Sequence, residues 1–236
     1  MKKRSKRYRQ GAEKIKAGAL YSLEEAIALL KELPPAKFDE TVELAFTMGI
    51  DPKQTEQLVR GTVALPHGTG KKVRVAVFAK GAQADEAKAA GADVVGHEEL
   101  IKKVNEGWAE FDIAVTTPDL MRELGRLGKI LGPRGLMPSP KTGTVTREVG
   151  KAVKELKAGR IEFRTDKGAN IQVPIGKRSF AADALADNAR VVIEGVLKAK
   201  PPTVKGVYLK KCVVSSTMGA GVPVDMREYA VAKREA

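Results

Sequence analysis

From position 42 to position 50 apolar residues occupy every second site: Val42, Leu44, Phe46, Met48 and Ile50, with Glu43, Ala45, Thr47, Gly49 and Asp51 between and after them. Strict alternation predicts a β-strand with one buried face and one open face. Counted back in the open phase, the strand carries Thr41, Asp39 and Lys37, with Phe38 at its mouth. Small and polar groups there leave room for another molecule's backbone. They also describe the solvated face of an ordinary antiparallel sheet.

The flanking pattern changes period. Ser22-Leu23-Glu24-Glu25 forms a capping box, and Leu23, Ala26, Ile27, Leu30 and Leu33 follow at helical spacing. Pro34-Pro35 stops that helix. Gly61 to Lys72 is rich in turn formers and reads as a connection. From Val73 onward strands alternate with helices. Val73–Ala79, Asp93–Val95 and Phe111–Val115 are strand runs, Gln83–Ala90 and Glu98–Asn105 are helical, and Pro118 opens a third helix. Such alternation implies a parallel sheet wrapped by helices. Three glycines and three prolines between Lys129 and Val145 exclude a regular element. Arg147–Ala158 is helical, and Arg160–Thr165 with Asn170–Pro174 predicts a hairpin around Asp166-Lys167-Gly168. Ala181–Ala199 is an amphipathic helix. Val207–Val214 is a strand running into the small residues Ser215 to Gly221, where another backbone can come close.

The chain therefore divides in three. Residues 1–69 and 158–236 are expected to form one discontinuous α+β domain, an antiparallel sheet with helices. Residues 70–157 are expected to form an inserted, Rossmann-like three-layer α/β domain. Hinges are expected near Gly70 and at Ala158-Gly159.

Charge adds a partner to this outline. The 236 residues hold 42 Lys plus Arg against 29 Asp plus Glu, a formal charge of +13. That surplus favours a polyanion. The two outer segments carry 26 basic and 17 acidic residues and the middle 16 and 12, so the larger excess lies with the alternating strand. Lys2, Lys3, Arg4, Lys6, Arg7, Arg9, Lys14 and Lys16 face one acid, Glu13, at the start of the chain. That run is either a solvated tail or an arm along phosphates. Between Glu123 and Glu148 there are bases but no acid, so the Lys129–Val145 loop either touches phosphates or simply closes its domain. No apolar run reaches the roughly 18 residues a bilayer span requires, and no apolar signal core opens the chain. Membrane and secretion are not expected, and the single cysteine, Cys212, in an apolar run, suits a reducing cytoplasm as an inert buried thiol.

Catalytic chemistry finds little support. His67 and His97 are isolated, Cys212 has no evident base, and no carboxylates have metal-ligand spacing. Gly68-Thr69-Gly70-Lys71 lacks the spacing and following hydroxyl of a phosphate loop, and no Gly-x-Gly-x-x-Gly follows the first strand of the middle segment. No helix-turn-helix with a basic recognition face is evident. No catalytic residue, metal or cofactor is expected.

Three stretches carry a resemblance. Lys37-Phe38-Asp39-Glu40-Thr41-Val42-Glu43, Leu131-Gly132-Pro133-Arg134-Gly135-Leu136-Met137-Pro138 and Ser216-Thr217-Met218-Gly219 are similar to signatures of the L-one family of large-subunit ribosomal proteins, in its bacterial form. The resemblance covers nearly the whole chain. It implies an RNA-binding split domain, an inserted α/β domain and a non-catalytic, cytoplasmic, ribosomal role. The implied partners are the lateral stalk of large-subunit ribosomal RNA, the exit-site tRNA whose release is assisted, and the protein's own operon mRNA, which it represses; the free protein is expected to be a monomer. Carried over, the RNA site comprises Lys37, Phe38, Thr41 and Glu43; Asp166, Lys167 and Gly168 from the hairpin; and Ser216, Thr217, Met218 and Gly219, with Lys210 and Lys211 at the phosphates. The residue types suit RNA, whose folded helices are read through shape, 2′-hydroxyls and phosphates. Hydroxyls at 41, 216 and 217 donate or accept, and Glu43 and Asp166 only accept. Glu43 is either a specific contact or an unused surface acid.

Overall fold

The structure is a computed structural model that describes residues 4–227 and 229. In chain order its main elements are α1 (Lys6–Glu13), α2 (Leu23–Glu32), β1 (Thr41–Met48), β2 (Arg60–Ala64), β3 (Val75–Phe78), α3 (Ala82–Ala89), β4 (Val94–Gly96) and α4 (Glu98–Asn105). Then come β5 (Ile113–Thr116), α5 (Met121–Leu124), α6 (Gly128–Leu131), α7 (Val149–Lys157), β6 (Arg160–Arg164), β7 (Asn170–Lys177), α8 (Ala182–Lys198), β8 (Leu209–Ser216) and β9 (Val222–Val224). They form two compact units, one of Met1–Gly70 with Ile161–Ala236, the other of Lys71–Arg160.

The first unit is built on a four-stranded sheet in the order β7-β1-β8-β9, in which β1 runs antiparallel to both neighbours. Val42, Leu44, Phe46 and Met48 point into the core, and Ile171, Val173 and Ile175 of β7 and Cys212 and Val214 of β8 extend that apolar row sideways. Helices α2 and α8 cover it with Leu23, Ile27, Leu30, Leu185, Val192, Ile193 and Val196. The capping box on α2 is present: Ser22 Oγ accepts from the Glu25 amide, and the Glu25 carboxylate accepts from the Ser22 amide. Buried Asn188 of α8 accepts from the His67 amide at 3.1 Å and donates to the carbonyls of Gly68 and Ile175. Between Val42 and Glu43 the β1–β7 register slips by one residue, and Gly176 sits there at φ +153. A Cβ on Gly176 would meet Leu185 and Phe180 at 2.9 Å, so glycine lets both pack against the bulge.

The second unit has three layers. Its sheet, β4-β3-β5, is parallel. Val75, Val77 and Val115 face α3 and α7, whereas Ala76, Phe78 and Ala114 face α4 and the leucines Leu124, Leu127 and Leu131.

Four local expectations change. Arg160–Thr165 and Asn170–Pro174 do not pair as a hairpin: β6 pairs with β2, and β7 with β1. The intervening turn does form, but the inward row of β7 buries more by completing the β1 core. Gly61 to Ala64 is strand rather than connection. The basic head is neither a free tail nor an extended arm over its described part. It is helix α1, and Arg7 from that helix donates to the carbonyls of Pro34 and Met218; Lys2 and Lys3 lie outside the described residues. The helical run begun at Pro118 continues through 3-10 and α turns to Leu131, taking in the first three residues of the stretch expected to be irregular.

Candidate nucleic-acid interface

The open face of the four-stranded sheet follows from its register. Thr41, Glu43, Ala45 and Thr47 of β1 stand opposite Lys177, Pro174, Gln172 and Asn170 of β7. On the other side Glu43, Ala45 and Thr47 stand opposite Ser215, Val213 and Lys211 of β8. All are half-buried or exposed, in contrast to the buried phase between them. Eight residues of strand give this face a length of roughly 23 Å. The sequence-predicted site residues collect at its two ends, with Glu43 between them.

At the start of β1 the two signature segments meet. The Thr41 amide donates to Thr217 Oγ1 at 3.0 Å, and the Thr217 amide and hydroxyl both donate to the Thr41 carbonyl. Thr41 Oγ1 accepts from Lys177 Nζ at 3.0 Å. Both threonine hydroxyls are thus already engaged with the protein. Ser216 is buried, and its Oγ donates to Glu40 Oε1. A Cβ on Gly219 would come within 2.4 Å of Ser216 Oγ, so the glycine serves this turn. What faces outward is apolar and cationic: Phe38 is 55% exposed, Met218 is 54% exposed, and exposed Lys37 has no acidic partner among the described residues.

At the far end of β1 the surface is made of lysines. The β1–β8 register slips between Thr47 and Met48, leaving Lys210 as the extra residue. A bulge turns two successive side chains outward, and Lys210 and Lys211 are both exposed. Asp166 shapes the neighbouring turn. Its Oδ1 accepts from the amides of Gly168 at 2.8 Å and Asn170 at 2.7 Å. The Asn170 amide is the main cause that holds its carboxyl below the usual carboxylate range. Lys167 at the turn's tip is exposed, and a shallow depression beside it is lined by Arg164, Thr165, Asn170 and Gln172. Lys167, Lys210 and Lys211 have no acidic partner among the described residues. Glu43 stands alone in the middle of the face.

Sequence reasoning missed the group beneath the first end. Glu40 is 0% exposed. Its Oε2 accepts from the Ala36 amide at 3.1 Å and from Arg178 Nη1 at 3.3 Å, and its Oε1 accepts from the Met218 amide at 2.9 Å. Arg7 approaches the same Oε1 at 3.7 Å. Burial by itself would raise this carboxyl, but the amides of Ala36 and Met218, the Ser216 hydroxyl and Arg7 outweigh it and hold it below the usual range. A signal was present. Position 40 lies in the buried phase of the alternation, with 42, 44, 46 and 48, and it is charged.

Nothing in the described residues assembles catalytic chemistry. No group of three or more His, Cys, Asp or Glu is placed to hold a metal ion. Burial pushes the Cys212 thiol up to about 12, leaving it protonated and inert. His97 is hydrogen-bonded to Glu123 at 2.7 Å, and His67 lies 3.3 Å from Asp187, each in a surface pair without a nucleophile. No helix among the described residues is long and apolar enough to cross a membrane.

Known proteins resemble this chain over most of its length. The model of the ribosomal protein L1p/L10e family matches residues 30–220. The large ribosomal subunit protein uL1 of Bifidobacterium longum (strain DJO10A) is 56% identical over 225 residues, covering 95% of this chain and 98% of that protein. The uL1 proteins of Kosmotoga olearia and Corynebacterium glutamicum (strain R) are each 53% identical over 225 residues, covering 95% of this chain and 97% and 95% of theirs.

Proposed function

Because the chain belongs to the ribosomal protein L1p/L10e family, we propose that the open face of its four-stranded sheet binds the lateral stalk of large-subunit ribosomal RNA. Membership makes it a structural, non-enzymatic constituent of the large ribosomal subunit, associated with ribosomal RNA in the cytoplasm. The finer reading rests on one observation. A roughly 23 Å strip of sheet lies open between an end that presents Phe38, Met218 and Lys37 and an end that presents Lys167, Lys210 and Lys211. Phe38 and Met218 suit packing on sugars and bases, and the lysines at both ends suit neutralising phosphates. Backbone shape and stacking are how folded RNA is read.

On this reading the unit made from both ends of the chain is the RNA-binding domain, and Lys71–Arg160 is an insert. Placed on the stalk, the protein stands beside the path of departing deacylated tRNA and assists its release. The same face takes the operon mRNA as a mimic of the ribosomal site, so the two RNAs compete. Both roles are supported by the sequence resemblance to bacterial members of the family. Footprinting of total ribosomal RNA with the purified protein tests the core of the proposal. Protection confined to one stalk region is expected. Scattered protection, or equal displacement by duplex DNA, would overturn it.

A further inference from the structure

The carboxylate under the first end of the site calls for an explanation that core packing does not supply. Position 40 continues the inward row of β1, where Val42, Leu44 and Phe46 pack well, so an apolar residue there would extend the core without burying a charge. A buried ion pair is no better for stability than well-packed apolar groups, and its recurrent use is to fix one arrangement among several. The arrangement fixed here is specific. Glu40 Oε2 holds the Ala36 amide, two residues before Phe38. Glu40 Oε1 holds the Met218 amide and the Ser216 hydroxyl. Arg7 takes the other side of the Met218 peptide, donating to its carbonyl at 2.7 Å and to the Pro34 carbonyl at 3.2 Å. Arg178 joins the carboxylate to the carbonyls of Lys31 and Leu33 at the end of α2. Both backbone groups of Met218 are therefore tied down while its side chain stays more than half exposed.

We propose that Glu40 is the positioning residue of the RNA face: it touches no RNA, and it holds the 36–38 segment and the 216–219 turn in one register so that Phe38 and Met218 are presented together. The inference rests on the RNA-binding reading above. It makes one carboxylate, with Arg7 and Arg178, the device that converts two segments about 180 residues apart in sequence into a single pre-formed surface.

The test combines exchange on the wild-type protein with a near-isosteric variant. In the free wild-type protein the Met218 amide should be protected from hydrogen exchange, although its side chain is exposed. Glu40→Gln, measured where circular dichroism shows it fully folded, should bind a lateral-stalk RNA fragment at least tenfold more weakly. Its salt dependence should be unchanged, because every lysine that neutralises a phosphate is still in place, and Met218 exchange should be faster. A purely stabilising carboxylate would lower the melting temperature and leave the folded variant's affinity and salt slope alone. Folded Glu40→Gln binding within twofold of wild type, or an unprotected Met218 amide in wild type, overturns the proposal. Should Glu40→Gln not fold, Ser216→Ala decides in its place: it removes one donor to the same oxygen, should weaken binding severalfold with the salt slope kept, and wild-type affinity would overturn the proposal. Wild-type protein that ignores stalk RNA would instead overturn the RNA reading, and the exchange result would still stand.

Discussion

The two ends of β1 solve different problems with the same strand. At its start the surface is ordered from below: buried Glu40, clamped by Arg7 and Arg178, sets backbone on which two large apolar side chains stand exposed. At its far end order comes from a backbone bulge at Lys210 and a turn closed by the Asp166 side chain, and what stands outward is a set of lysines with no acidic partner among the described residues. Fixed shape discriminates among RNA folds, whereas mobile charge attracts any phosphate backbone. On the proposed RNA reading, the contrast puts specificity mainly at the first end and salt-dependent affinity mainly at the second, and each half of that statement is open to attack by substitution.

The largest effect is expected from Arg178→Leu. It leaves the fully buried Glu40 carboxylate without its nearest cation and strips a donor from the carbonyls of Lys31 and Leu33. Breaking a buried pair from one side costs about 3 kcal/mol or more. Urea denaturation should show that loss. A loss under about 1 kcal/mol would mean that the network adds little to the ordering of this end. Phe38→Ala comes next. Its side chain is 55% exposed, so stability should change by less than about 0.5 kcal/mol. Affinity for stalk RNA should fall by about 1–3 kcal/mol if the ring stacks on a base. Equal losses for stalk RNA and an unrelated RNA hairpin would remove specificity from this end. The double change Lys210→Ala with Lys211→Ala attacks the other end. Stability should hold, and the slope of log affinity against log salt should shrink by about 0.7–0.9 for each phosphate no longer neutralised. An unchanged slope would show that these lysines face solvent in the complex.

How much of this was legible in the sequence differs between the same two ends. The alternation at 42 to 48 placed β1 and its buried face correctly, because a period of two has few other physical readings. The apolar stripes of α2 and α8 and the alternating unit from Val73 were legible for the same reason. What stayed hidden depended on long-range pairing. Arg160–Arg164 and Asn170–Lys177 look like hairpin partners locally, yet each finds a strand about 100 or more residues away. Ser216 and Gly219 read as an approach surface, whereas Ser216 is buried against Glu40 and Gly219 makes room for its hydroxyl. Glu40 is hard to read locally because the apolar alternation starts at Val42, so a charge two positions earlier looks like a residue ahead of the strand and not like part of its buried face. Arg7 and Arg178 could not have been assigned to it, since 33 and 138 residues separate them from Glu40 and no local spacing links them.

The smallest effect, and the one most particular to the first end, is in acid. Burial raises the Glu40 carboxyl, but the Ala36 and Met218 amides, the Ser216 hydroxyl and the Arg7 charge together bring it below its ordinary value. A carboxyl with a lowered folded-state pKa contributes stability that is complete above its unfolded-state pKa, about 4.3, and is lost as pH falls through the folded-state value. Other carboxyls shift the same way: Asp93 by the Val75 amide first, and Asp112 by Lys71 first. The acid limb of wild-type stability therefore sums several groups and does not report Glu40. The difference between wild type and Glu40→Gln does report it, because Gln does not titrate and the other carboxyls cancel. That gap should be flat from pH 7 to about 5 and should narrow below about 4.3, as Glu40 takes up a proton and comes to resemble Gln. A gap that widens in acid would mean that the buried carboxyl is held above its ordinary value, with desolvation winning over its partners. The first end would then be strained by its carboxylate rather than ordered by it.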